Sequence, residues 1–247
     1  TAIARAIVRE PALLLADDLS GVSVAGTLRP GAAERQTDLL LKLDDEPFAS
    51  FDTSLDNTGS RSSGGDRLSA GLHLASPAQR GDLLTSQAIH SQGSDYLRLA
   101  YTTPVGLQGW RVGANGSLFS YKLIAPEFNM LDATGYSNSM GLEATYPLQR
   151  ARLQNLYLGL SYSHRINHNE TATGITSHYT INTLGLNLYG NLFDTLGGGG
   201  ANSANVSLDH GQLNLNGSPN QAADAASANT QGSYTKLRYN LSRQQVV

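Results

Sequence analysis

Residues 156–163 read Leu156-Tyr157-Leu158-Gly159-Leu160-Ser161-Tyr162-Ser163. Leu156, Leu158, Leu160 and Tyr162 share one parity; Gly159, Ser161 and Ser163 share the other. Side chains of an extended strand point alternately to opposite faces, so this is a strand with one apolar and one polar face. The pattern spans about residues 153–168. That exceeds the roughly five or six residues usual in soluble sheets and meets the ~9–11 that a tilted membrane-crossing strand requires.

The same alternation recurs on both sides. Leu97, Leu99 and Tyr101 oppose Arg98 and Ala100. Val112, Ala114, Gly116 and Leu118 oppose Arg111, Gly113, Asn115 and Ser117. Met140, Leu142, Ala144 and Tyr146 oppose Gly141, Glu143 and Thr145. Leu184, Leu186 and Leu188 oppose Gly185 and Asn187. Leu237, Tyr239 and Leu241 oppose Lys236, Arg238 and Asn240. About ten strands are predicted over residues 48–247. Alternation by itself fits a soluble sandwich as well as a barrel. The polar face decides between them, because its Gly and Asn with isolated Arg, Lys and Glu suit a wet lumen. Tyr101, Tyr121, Tyr136 and Tyr146 near strand ends fit an interfacial girdle. The fold class expected is mainly β: a transmembrane antiparallel β-barrel preceded by a partial α/β domain.

Composition agrees. The 247 residues include 26 Gly and 11 Tyr, and only 15% are charged. No apolar run approaches the ~18 residues of a helical span. A net charge of -3 without a Lys/Arg cluster gives no face for nucleic acid. The absence of cysteine removes disulfides, thiolate metal sites and cysteine nucleophiles.

Residues 1–46 read differently. Ile3, Ile7, Leu14 and Leu15 recur among alanines, predicting a helix over about residues 2–19 that is interrupted at Pro11. Two strands follow, at residues 22–28 and 37–43, around a turn at Arg29-Pro30-Gly31. No signal peptide precedes Thr1, and the chain reads as a piece of a longer protein. In the barrel part, longer loops are expected at residues 57–65, 124–135 and 196–204. Tighter ones are expected at 76–81 and 147–152, and a mobile polar loop at 216–230.

Three motifs at the start of the barrel part carry a family resemblance. They are Asp56-Asn57-Thr58-Gly59, then Gly64-Gly65-Asp66-Arg67, then Ser76-Pro77-Ala78-Gln79-Arg80-Gly81-Asp82. They resemble the "DN-x-G", "G-x-x-R" and "NP-x-G-x-GD" signatures of the haemolysin activation/secretion family, the transporters of two-partner secretion. Ser76 stands where the family has Asn. Gly21-Val22, Thr27 to Gly31, Thr37-Asp38-Leu39 and Asp44-Asp45-Glu46-Pro47 resemble the end of that family's second POTRA domain, and residues 236–243 share the family's character. The resemblance implies residues 1–46 as the end of a periplasmic POTRA domain. Residues 47–247 would be the first part of a sixteen-stranded outer-membrane barrel. It further implies export of a secreted β-helical partner without catalysis, cofactor or metal. The residues expected to matter are Asp56, Asn57, Gly59, Gly65, Arg67, Pro77, Gly81 and Asp82 in the motif. Arg98, Arg111, Glu143, Lys236 and Arg238 are candidates for the lumen, as conduit lining or as wall-stabilising pairs. The family's Arg-Gly-Tyr loop tip does not occur in this sequence.

Sharper chemistries are weak. Residues 3–18 resemble the approach to a Walker B aspartate, but no G-x-x-x-x-G-K-[ST] cradle accompanies them. His164 and His168 lie four apart, which on a strand is ~13 Å, too far for one ion. Gly197 to Gly200 lack a following Lys and helix, and no G-x-S-x-G elbow is present. Three rivals stay open: an outer-membrane assembly factor of the same superfamily, a diffusion porin, and a soluble β-rich adhesin.

Overall fold

Cross-strand register turns the period-two pattern into two continuous surfaces. The computed structural model describes residues 2–6, 20–30 and 37–245. A small antiparallel sheet comes first: β1 (Ala2–Ala6), β2 (Val22–Pro30) and β3 (Thr37–Asp45), in the order β1-β3-β2. A second sheet of ten antiparallel strands follows in simple sequence order. Its members are β4 (Ala49–Asp56), β5 (Arg67–Ala75), β6 (Leu83–Ser91), β7 (Ser94–Val105) and β8 (Trp110–Lys122), followed by β9 (Thr134–Ala151), β10 (Gln154–Thr171), β11 (Gly174–Asp194), β12 (Gly200–Asn214) and β13 (Gly232–Gln245). Lengths reach 21 residues in β11, far beyond what a soluble sheet uses.

One cross-strand row runs Val112–Ala144–Leu160–Leu186–Leu208–Leu237. The row beside it runs Gly113–Glu143–Ser161–Gly185–Asp209–Lys236. Adjacent rows point to opposite faces, so six strands agree on which side is apolar. That apolar side is not covered by protein. Leu186 and Leu208 are each 43% exposed and Leu237 63%, and among the described residues only Leu41, Ala125 and Leu215 are buried hydrophobics. A sheet of this size with its leucines outward and no core lacks the burial that holds a soluble domain together. Lipid tails supply the missing apolar surroundings.

Proline and a bulge shape the near end. Leu156 pairs with Gln149 and Tyr157 with Pro147, leaving Leu148 as an extra residue. Pro147, which has no N–H to give the ladder, sits where the ladder is already irregular.

Connections alternate between two ends. At the far end lie residues 57–66, 92–93, 123–133, 172–173 and 215–231. They are tied to one another: Gly93 N donates to Ser63 O (2.7 Å), Ile124 N to Ser62 O (2.8 Å) and Ala172 N to Leu131 O (2.8 Å). At the near end lie residues 76–82, 106–109, 152–153 and 195–199, beside the small sheet. There Glu46 N bonds Gly21 O at 3.1 Å, and a Cβ on Gly21 would stand 3.2 Å from that of Ser76.

Five expectations change. The tight connection expected at 147–152 narrows to residues 152–153, because β9 runs to Ala151 and β10 begins at Gln154. Residues 2–6, expected as helix, form β1, whose backbone pairs with β3 from Ala2↔Leu43 to Ala6↔Leu39. A ladder to a neighbouring strand outweighs the weak local preference of Ala for helix; residues 7–19 of that expectation lie outside the described residues. The loop at 196–204 shortens to 195–199, because β12 already pairs from Gly200. The stretch 216–230, expected as an irregular polar loop, has local structure. It contains a short helix, α1 (Gln221–Ala225), and Asp224 accepts hydrogen bonds from Thr230 N (2.9 Å) and Gln231 N (3.2 Å). Tyr121 leaves the girdle: it pairs with Gly135 on the polar parity and donates to Asn169 Oδ1 at 2.9 Å.

The two faces differ in tolerance. Leu186→Arg should cost about 2–4 kcal/mol of folding stability in bilayers, and Ser161→Arg on the opposite face less than about 1. Urea unfolding of the lipid-inserted full-length protein measures both.

Candidate functional site

Asp56 closes β4 and Arg67 opens β5, directly opposite one another. Arg67 Nε and Nη2 donate to Asp56 Oδ1 at 3.0 and 2.9 Å, and Thr58 N and Oγ1 reach the same oxygen at 3.0 and 2.6 Å. The ion pair and the Asx-type turn thus share one carboxylate oxygen and fix where the far loop leaves the sheet. Gly59 N donates to Gly65 O at 2.8 Å, and a Cβ on Gly59 would collide with the carbonyls of Gly64 and Gly65. Gly65 itself has open space around it; Gly64 is the demanding one, at φ +113° and against the backbone of Gln92. Asn57 follows the strand end in the exposed turn.

The near-end turn is built around Asp82, the largest side chain with no exposure. Its carboxylate accepts Ala78 N at 2.9 Å and Arg80 N at 3.1 Å. Burial opposes ionisation, but the N–H donors of Ala78 and Arg80 and the Tyr101 hydroxyl prevail and hold the carboxyl below its usual range. Pro77 occupies the second position of the turn in which Gln79 N bonds Ser76 O at 2.9 Å. Gly81 takes φ 71° and donates from N to Ser76 Oγ at 3.0 Å. Ser76 and Gln79 adopt φ 55° and 57°, the left-handed region that costs a non-glycine residue about 1–2 kcal/mol. These are the positions where the signature carries Asn and Gly. Sequence reasoning noted Ser76 and missed Gln79, although the signature itself displays the mismatch.

On the sheet, the register places Arg98, Arg111, Glu143, Lys236 and Arg238 on the polar parity. Arg111 and Arg238 end one row, through Thr145, Gly159, Asn187 and Ser207. Glu143 and Lys236 share the next row with Asp209, and Arg98 shares a third with Arg165 through Ser117 and Ser139. Arg238 is ion-paired with Asp209, and Arg111 Nη2 reaches Gly81 O at 3.3 Å, tying the wall to the Asp82 turn. Sequence reasoning missed Arg165, Asp209 and Asp52; counting parity outward from Ser161 finds the first.

Glycine has a positional use on this face. A Cβ on Gly71 would strike the Asp52 carboxylate, one on Gly211 the Tyr234 ring, and one on Gly113 would stand 2.9 Å from Glu143 Oε1. Each glycine leaves a seat into which a cross-strand neighbour folds flat, so the polar wall stays low. Of the two histidines weighed for metal, His164 Nδ1 lies 2.7 Å from Asn182 Oδ1. His168 stacks on Tyr136 and adjoins His178 instead. The structure does not bring the two together, and no group of three ligating side chains occurs among the described residues.

The sequence profile described as haemolysin secretion/activation protein ShlB/FhaC/HecB matches residues 35–247. The chain belongs to that family. It is 26% identical over 180 residues to the heme/hemopexin transporter protein HuxB of Haemophilus influenzae strain 86-028NP, which covers 72% of this chain and 32% of the relative. HuxB of strain ATCC 51907 is 27% identical over 154 residues, covering 62% and 27%. The chain therefore spans a third or less of the relatives it matches. Among solved structures, CdiB from Escherichia coli superposes with a TM-score of 0.67 at 19% identity, covering 81% of this chain and 38% of that one. CdiB from Acinetobacter baumannii gives 0.62 at 17%, covering 81% and 39%. The fold is that of a bacterial outer-membrane β-barrel of the two-partner secretion family.

Ser76→Asn combined with Gln79→Gly should relieve the strained turn and raise stability by about 1 kcal/mol, seen as a higher urea midpoint. Asp82→Asn should cost about 1–3 kcal/mol. Because the folded carboxyl titrates below its unfolded counterpart, its contribution is present above the unfolded value of about 3.9 and fades as pH falls through the folded one. Unfolding midpoints measured between about pH 2 and 6 should fall toward acid in the parent and vary less in Asp82→Asn.

Proposed function

We propose that this chain is part of an outer-membrane translocator that exports a secreted β-helical partner protein through the barrel without nucleotide hydrolysis. The carrying observation is the parity through the middle of the large sheet: the row Val112–Ala144–Leu160–Leu186–Leu208–Leu237 is apolar, and the adjoining row Gly113–Glu143–Ser161–Gly185–Asp209–Lys236 is polar or glycine. An apolar outer face solvated by lipid requires the polar face to enclose water. Across the middle of the sheet, a low wall of Gly, Ser and Asn presents few apolar side chains on which an unfolded chain would stick.

In this reading residues 1–46 are the end of a POTRA domain on the periplasmic side. Their three-stranded sheet has outer strands, β1 and β2, each with one side unpaired among the described residues. A sheet edge binds an extended polypeptide through backbone hydrogen bonds with little demand on sequence, which suits capture of an unfolded client. Arg98, Arg111, Glu143, Lys236 and Arg238 line the passage. The Asp56–Arg67 pair and the Asp82 turn fix the first hairpins to which the periplasmic part is joined. The client folds outside, and that folding supplies direction.

The full-length protein in its own outer membrane, compared with a form lacking the periplasmic region through Glu46, tests this. Partner protein in the medium should vanish while conductance in planar bilayers remains. Persistent secretion would overturn capture by that region. Absence of conductance in both forms would overturn the conduit.

A further inference from the structure

The charge on the polar face does not follow the charge of the chain. The protein carries a net charge of -3, so a surface drawn at random from it would be weakly acidic. On the polar parity, Arg67 and Arg238 are neutralised by Asp56 and Asp209. With these the described strands carry seven cations on that parity, the others being Arg98, Arg111, Arg150, Arg165 and Lys236, against four acids, the others being Asp52 and Glu143. The face is thus positive within an acidic protein, the acids having gone to the loops, the small sheet and the strand ends.

Asp52 stands beside Gly71, with His73 Nε2 3.8 Å from it, and Glu143 stands beside Gly113; both acids are exposed. Arg98, Arg165 and Lys236 are exposed and make no ion pair or hydrogen bond among the described residues. The excess of cations over acids on this face gives a positive potential toward the enclosed water. A low-dielectric wall focuses that potential. At physiological salt it reaches about 8 Å from each charge, which is a large part of a barrel's interior.

Resting on the conduit reading, we infer that this wall is an anion-attracting surface whose polypeptide ligands are acidic segments in transit. Small ions report the same field. The experiment uses the full-length protein in planar bilayers under a potassium chloride gradient, where the two ions have nearly equal mobility. The parent should pass chloride in excess of what the triple variant Arg98→Gln/Arg165→Gln/Lys236→Gln passes, the chloride-to-potassium permeability ratio falling by about twofold or more. Glu143→Gln should raise the ratio. If the triple variant fails to insert, Arg98→Gln and Lys236→Gln singly must each lower it. An unchanged ratio in inserted variants overturns the inference and leaves the conduit standing. A parent that conducts nothing overturns the conduit and the inference with it.

Discussion

In hydrocarbon there is no water to satisfy a peptide group, so every N–H and C=O within the membrane must find a backbone partner. An antiparallel ladder meets that demand, and it imposes the two-residue period on everything else. With partners fixed from Gly200↔Gln245 to Ala49↔Leu74, each side chain has only two destinations, lipid or the enclosed water. The leucines at Leu160, Leu186, Leu208 and Leu237 take one. Ser161, Gly185, Asp209 and Lys236 take the other.

That constraint also explains where irregularity is permitted. Pro147 falls at the bulge opposite Tyr157, near the strand end. The strained residues Ser76 and Gln79 fall in the near-end turn, outside the ladder. Asp82 buries its charge there because two turn N–H groups, which the ladder cannot use, point at it. The motifs that identify the family are therefore hairpin hardware. Asp56 with Arg67 closes one hairpin at the far end, and Asp82 closes the next at the near end, so together they fix the path of the first strands.

In the proposed conduit, function would be carried by the wall rather than by a pocket. The polar face joins glycine seats with exposed acids and exposed cations. A surface that must let many different residues pass has to be wet, low and indifferent to sequence, and a field acting over about 8 Å is the kind of recognition it retains. The loops knit at the far end, from Ser62 and Ser63 to Ile124 and Gly93, hold the mouth of the sheet in one shape.

The sequence by itself determined the strands of the large sheet, their faces and the family. Alternation at residues 156–163 is a local property of the chain, and the Asp56, Arg67 and Asp82 signatures are local as well. Register was not legible, because sliding a strand by two residues preserves its faces while changing every partner. The tertiary structure therefore decided that Arg98 shares a row with Arg165, and that Asp209 takes Arg238 and leaves Lys236 free. It also decided that residues 2–6 are a strand, since the edge of β3 is not encoded within them. Which charges cancel and which stand open depends on neighbours brought together from distant parts of the chain, and only the paired sheet supplies those.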